Sequence, residues 1–163
     1  MSSPNLPMTP GTQAADADEV QVGWVGEIFD PAVGNRRYQV GKCATAVTFA
    51  MALVAMNYSG GKPLGTFQYT ATSAANIMGV TNSSLTGITA SYATLVTIEG
   101  DGVPVTCVNA STIAVGDYVK PSSVAGKVIS SAGTVAAVSA WPVWRCVRSA
   151  VSNACYIALR KLV

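Results

Sequence analysis

The sequence contains no histidine, so the side chain that most often moves protons near neutral pH is absent. Three carboxylates in the body of the chain remain as candidates for acid–base work: Glu99, Asp101 and Asp117. Glu99 and Asp101 bracket a Gly100-Asp101-Gly102 run that reads as a hairpin tip, where solvated turn carboxylates are the ordinary finding. Asp117 follows Gly116 at a turn-to-strand corner, where aspartate serves local backbone hydrogen bonds. As calcium ligands these three would be a thin set, because that ion takes about six to eight oxygens. No GxSxG elbow, Walker loop, GxGxxG fingerprint or HExxH pair occurs. The expectation is a protein that is not an enzyme, with no catalytic residue, no cofactor and no bound metal.

The four cysteines are Cys43, Cys107, Cys146 and Cys155, and no two have CxxC spacing. A zinc site would have to gather thiolates from distant segments. Disulfides have three pairings open to them, but small buried thiols of a reducing compartment are the simpler expectation.

Trp141-Pro142-Val143-Trp144-Arg145, with Arg148 close behind, is the segment best suited to recognition. Tryptophan and arginine are the usual anchors of protein interfaces. The competing reading makes one ring core and leaves the other partly exposed. Stacking on nucleic-acid bases has no support from an aromatic–basic series elsewhere.

Composition points the same way. Half of the 163 residues are hydrophobic and 11% are charged, against roughly 25% in an ordinary domain. So few charges fit a surface that partners cover in part. The net charge is +2, unevenly spread. Residues 1–30 hold Asp16, Asp18, Glu19, Glu27 and Asp30 and no basic residue; the remainder holds all ten basic residues against three acidic ones. An acidic leader would be repelled by a genome, so direct nucleic-acid contact is not expected. The opening MSSPNLPMTPGTQ has no basic region or apolar core, and the longest low-polarity run, Cys43 to Met56, is shorter than a membrane-spanning helix. A soluble protein made in a cytoplasm, without a membrane partner, is expected. The sequons at Asn57, Asn82 and Asn109 read as turn residues.

Residues 1–22 form an arm. Pro4, Pro7 and Pro10 enforce extended backbone, and Leu6 and Met8 stud it with apolar groups. Such an arm suits docking on a neighbouring copy, so Leu6, Pro7, Met8 and Pro10 are candidate assembly contacts. Arg36, Arg37, Trp141, Trp144 and Arg145 are the candidates on the body, the arginines as partners for the acidic leader.

From residue 23 onward the signals are mostly β. Val25–Phe29 and Arg37–Val40 flank turn formers, as do Thr94–Glu99 and Val103–Val108. Asp117–Lys120 and Lys127–Ser130 make a third pair, and Trp144–Val151 with Cys155–Leu159 a fourth. Pro104 suggests an edge position, because it cannot donate to a ladder. In the last strand Cys155, Ile157 and Leu159 share one face. Residues 43–56 read either as a helix or as two short strands broken near Thr48. The whole reads as all-β, a small β-barrel or β-sandwich over 23–163 with an extended N-terminal arm.

Three segments carry a resemblance: Val96-Thr97-Ile98-Glu99-Gly100-Asp101-Gly102-Val103, Ile113-Ala114-Val115-Gly116-Asp117-Tyr118-Val119 and Gly126-Lys127-Val128. With Ile77-Met78-Gly79-Val80 upstream, residues 40–163 resemble the capsid decoration (cement) proteins of tailed bacteriophages. The resemblance implies no catalysis. It implies many copies on the outer face of an icosahedral shell, with the major capsid protein as partner and a homo-oligomer, most simply a trimer, as the unit. A tail or head-fibre module that recognises a host surface is the alternative.

Overall fold

Eleven strands follow one another in the computed structural model, which describes residues 6–15, 20–59, 62–69, 76–109, 113–131 and 144–160. They are β1 (Gln13–Ala14), β2 (Val25–Asp30), β3 (Gly34–Cys43), β4 (Leu53–Ser59), β5 (Lys62–Tyr69) and β6 (Ile77–Val80). After them come β7 (Ala93–Thr106), β8 (Tyr118–Pro121), β9 (Val128–Ser130), β10 (Trp144–Val151) and β11 (Ala154–Leu159). The described residues contain no α-helix, and the strands form one mixed sheet. The expected all-β barrel or sandwich class is what the chain adopts.

β7, at 14 residues, organises the molecule. Its first half pairs with β3, and its second half with β11. Both partners reach Gly100, β3 through Arg36 and β11 through Leu159. On one side β3, β5, β4, β6 and the first half of β7 close a ring, with β3–β5 parallel and the other pairings antiparallel. On the other side the second half of β7 continues through β11, β10, β8 and β9. A parallel bridge from Val128 to Cys107, just past the end of β7, closes this second ring.

Each ring is filled by the inward half of an alternating pattern. The first holds Cys43, Val47, Ala52, Val54, Phe67, Met78, Leu85, Ile88 and Val96. The second holds Val103, Val105, Cys107, Ile113, Val119, Val128, Trp144, Cys146, Cys155, Ile157 and Leu159, joined by Leu53 and Val80 where the rings meet. Gly79 is needed where they meet, since a Cβ there would strike the Thr97 carbonyl. A third cluster lies outside the first ring: Tyr38, Val40, Ala93 and Leu95, under Leu6, Met8, Val20, Val22, Trp24 and Ile28.

Three of the four expected hairpins form: β2–β3, β8–β9 and β10–β11. The expected alternation of β11 also holds, with Cys155, Ile157 and Leu159 buried. The hairpin at Gly100-Asp101-Gly102 does not form. These residues lie inside β7, where both flanking halves find better partners in β3 and β11 than in each other. The glycines serve a change of partner, with Gly102 at φ 61° and ladder irregularities at Arg37/Tyr38 and Ile157/Leu159. Residues 43–56 follow the two-strand reading: β3 ends at Cys43, Val47 bridges to Ile88, and β4 starts at Leu53. Asn57 sits in β4 with its amide donating to Thr66 Oγ1 at 3.0 Å, so it is a strand residue and not the expected turn residue. Asn82 does make a turn, its Oδ1 accepting from the Ser84 N–H at 2.8 Å.

The sequence suits the arm to docking on a neighbouring copy; in the single chain its described part, residues 6–15 and 20–22, packs on its own body. β1 adds to β7 beside Ala93 and Thr94. The Gln13 side chain donates to the Gly87 carbonyl at 3.2 Å and accepts from the Thr89 N–H at 2.9 Å. Thr94 Oγ1 donates to the Thr12 carbonyl at 2.7 Å. The physical reason is that the apolar outer face of β3 and β7 needs a cover, and the arm is the segment close enough to supply one.

Candidate functional site

Charge is concentrated where the two rings exchange the long strand. Glu99 and Asp101 follow each other along β7 on either side of Gly100, and each takes an arginine from a different neighbour. Arg37 of β3 reaches Glu99 Oε2 at 3.3 Å, and Arg160, just past β11, reaches Asp101 Oδ1 at 2.7 Å. Arg36 donates through Nη2 to the Gly102 carbonyl at 3.0 Å. The two ion pairs, with Glu27, Val33, Gly34, Asn35 and Gly100, line a cleft of about 440 Å³. Chemically the cleft holds carboxylates already committed to guanidinium groups. The Arg160–Asp101 pair is exposed to solvent and the Arg37–Glu99 pair partly so, and each is worth a few tenths of a kcal/mol to about 1 kcal/mol. They set strand register at the crossover more than they add strength. Among the described residues no group of three or more Cys, Asp and Glu is placed to hold a metal ion.

Asp117 has the structural task its position suggested. Its Oδ2 accepts from the Ala114 N–H at 2.8 Å while its own N–H donates to the Ala114 carbonyl. The turn so closed, with Gly116 at φ 93°, feeds the chain from Ile113 in the second core into β8. The Ile113–Val119 motif is therefore a turn that delivers two core side chains, Ile113 and Val119, into the second ring.

No family model, curated protein or solved structure matches this chain. Its reading rests on its own residues.

The candidate assembly contacts fall into separate places. Leu6 and Met8 are half-buried in the third cluster, Pro10 is half-buried and Pro7 is exposed. Arg36 and Arg37 belong to the crossover. Trp144 is a core residue of the second ring, 3% exposed, with Nε1 donating to no group among the described residues. Its neighbour Arg145 is exposed and stands opposite Tyr118 in the β10–β8 ladder. Trp141 lies outside the described residues. The acidic leader residues Asp16, Asp18 and Glu19 also lie outside them.

Two features were missed by reading the sequence. Arg148 lies over the Tyr156 ring, 4.5 Å from its centroid, on the outer face of the second ring. Arg160 completes the crossover. Neither could be found without knowing that β11 is flanked by both β7 and β10.

All four cysteines are buried free thiols. Cys107, Cys146 and Cys155 share the second core, and Cys43 lies in the first. Burial pushes the Cys155 thiol far above its ordinary value, with the neighbouring Cys107 and Cys146 adding to the effect. Burial likewise raises Cys43 and Cys107. Such thiols stay protonated and are poor nucleophiles, which fits packing rather than chemistry.

Proposed function

We propose that this chain is a structural virion protein that binds the outer face of a phage capsid in many copies and stabilises the shell. The observation that carries the reading is a charge-poor surface on which large apolar side chains stand exposed, Phe29, Val115 and Val151 foremost among them. The crossover cleft supports the same reading. Its carboxylates are tied to arginines, as register pins would be, and of the motifs that resemble decoration proteins, Ile113–Val119 forms a turn with two second-ring core residues while Val96–Val103 and Ile77–Val80 are strand segments.

In this role the two fused rings act as a stiff plate laid across the seams between coat subunits, with the major capsid protein as partner. Each contact is weak, and linking several copies raises their combined hold by effective concentration alone. The test is to mix purified protein with undecorated shells and count the copies retained. Saturable binding of many copies per shell, with a higher temperature of shell rupture, is expected. Failure to bind, or retention of a few copies at a tail, overturns the proposal.

A further inference from the structure

We propose that the outer face of the second ring is a docking surface for a partner protein that presents carboxylates to it, which in the proposed role is the outside of the coat shell. The inference rests on that role and adds which face makes the contact and by what chemistry. Residues 103–163 hold six basic residues against a single acidic one, Asp117, while residues 1–30 hold five acidic residues and no basic one. Strand alternation sorts the basic side chains to one side. Val119, Trp144, Cys146, Cys155, Ile157 and Leu159 point into the second core. Their neighbours along β8, β10 and β11 therefore point out: Tyr118 and Lys120, Arg145, and Tyr156 with Arg160 just past the strand end. Arg148 joins them, opposite Tyr156 in the ladder and 4.5 Å from the centre of its ring. The charged side chains so placed are Lys120, Arg145, Arg148 and Arg160, all of them cations.

The chain supplies these cations with little counter-charge. Asp101 takes Arg160 at 2.7 Å, and Asp117 gives its Oδ2 to the Ala114 N–H. Among the described residues Lys120, Arg145 and Arg148 have no ion-pair partner. The described part of the arm packs on β3 and the start of β7, away from this face. Like charges gathered on one rigid sheet repel each other, and an anionic partner relieves that repulsion and is steered toward it. A protein surface suits the face better than nucleic acid. Arg148 already occupies one side of the Tyr156 ring, where a base would stack. The acidic residues 1–30 would be repelled by phosphate. Arginine forks pair carboxylates through two parallel hydrogen bonds. Along β10 the arginines stand beside exposed Val147 and Val151, and arginine and tyrosine next to exposed apolar groups are the mixture found in protein–protein interfaces.

Titration of the full-length protein onto undecorated shells should show binding that weakens as salt rises. Arg145→Glu and Arg148→Glu, both at exposed side chains, should each weaken it at least about tenfold. Arg145→Glu should leave the melting temperature of the free protein unchanged, and Arg145→Lys, which keeps the charge, should bind more tightly than Arg145→Glu. A peptide of repeated glutamates tests the face without shells: the free protein should bind it, and the same two reversals should release it. A wild-type protein that ignores shells but holds the peptide through Arg145 and Arg148 refutes the shell-binding role and keeps the carboxylate-binding face. A wild-type protein that binds neither overturns both. Reversal variants that bind shells or the peptide like wild type overturn the inference, and so does a duplex DNA oligonucleotide that binds in preference to the peptide at physiological salt.

Discussion

In the first ring the outer face of β3 and β7 carries Tyr38, Val40, Ala93 and Leu95, and the chain's own arm covers them; in the second ring the outer face of β10 and β11 carries Arg145, Arg148 and Tyr156, and no strand of the described chain lies over it. The interiors differ too. Phe67 is fully buried in the first core, while the second is built around Trp144 and three thiols. One outer face is thus covered by the chain's own arm, while over the other lies no strand of the described residues. The difference teaches that the sharing of β7 forces a division of labour. A strand long enough to serve two rings has two outer faces to cover, and one short arm reaches only the nearer.

The largest expected effect comes from emptying either core. Phe67→Ala and Trp144→Ala should each cost about 3–5 kcal/mol in denaturant titrations. Because both rings hang on β7, each loss should unfold the whole chain in one transition. Two separate transitions would show that the rings are independent and break the comparison.

The thiols should distinguish the rings by their response to alkali. A folded-state value raised above the unfolded one means that the folded chain holds the proton more tightly. That stability is complete below the ordinary thiol value of 9.0 and is lost as pH rises above it. Unfolding monitored from neutral to alkaline pH should show this decline, and Cys155→Ala should flatten it more than Cys43→Ala. Equal slopes in the two variants would remove the distinction.

Removing residues 2–15 should leave a folded two-ring body that is less stable by about 2 kcal/mol, from the exposure of apolar surface under Leu6 and Met8. The exposed face should bind a dye that reports apolar surface, and wild type should not. Asp117→Ala should cost about 1 kcal/mol by freeing the Ala114 N–H. The smallest effect is expected at the crossover, where Asp101→Asn should change stability by a few tenths of a kcal/mol. A much larger loss would show that the pair with Arg160 sets more than register.

The β2–β3, β8–β9 and β10–β11 hairpins were legible because turn and strand signals lie side by side in the chain. Gly100-Asp101-Gly102 misled because the same residues suit a tight turn and a change of partner within one strand. The deciding contacts are remote: Arg37 is 62 residues from Glu99, and Arg160 is 59 from Asp101. The arm was ambiguous for a related reason. Leu6 and Met8 announced that something would be covered, but their spacing carries no information about whether that surface belongs to the same chain.

The sequence by itself determined the β class, the alternation of β11, the corner at Asp117 and the burial of the cysteines, since each follows from a residue's own shape, polarity and near neighbours. The tertiary structure alone decided that β7 runs unbroken through two rings, that Trp144 faces inward, and that Arg145 and Arg148 share an outer face with Tyr118 and Tyr156. Those outcomes depend on which strands pair across long separations. That choice is made by the total apolar surface two closed rings can bury together, a quantity that no local window contains.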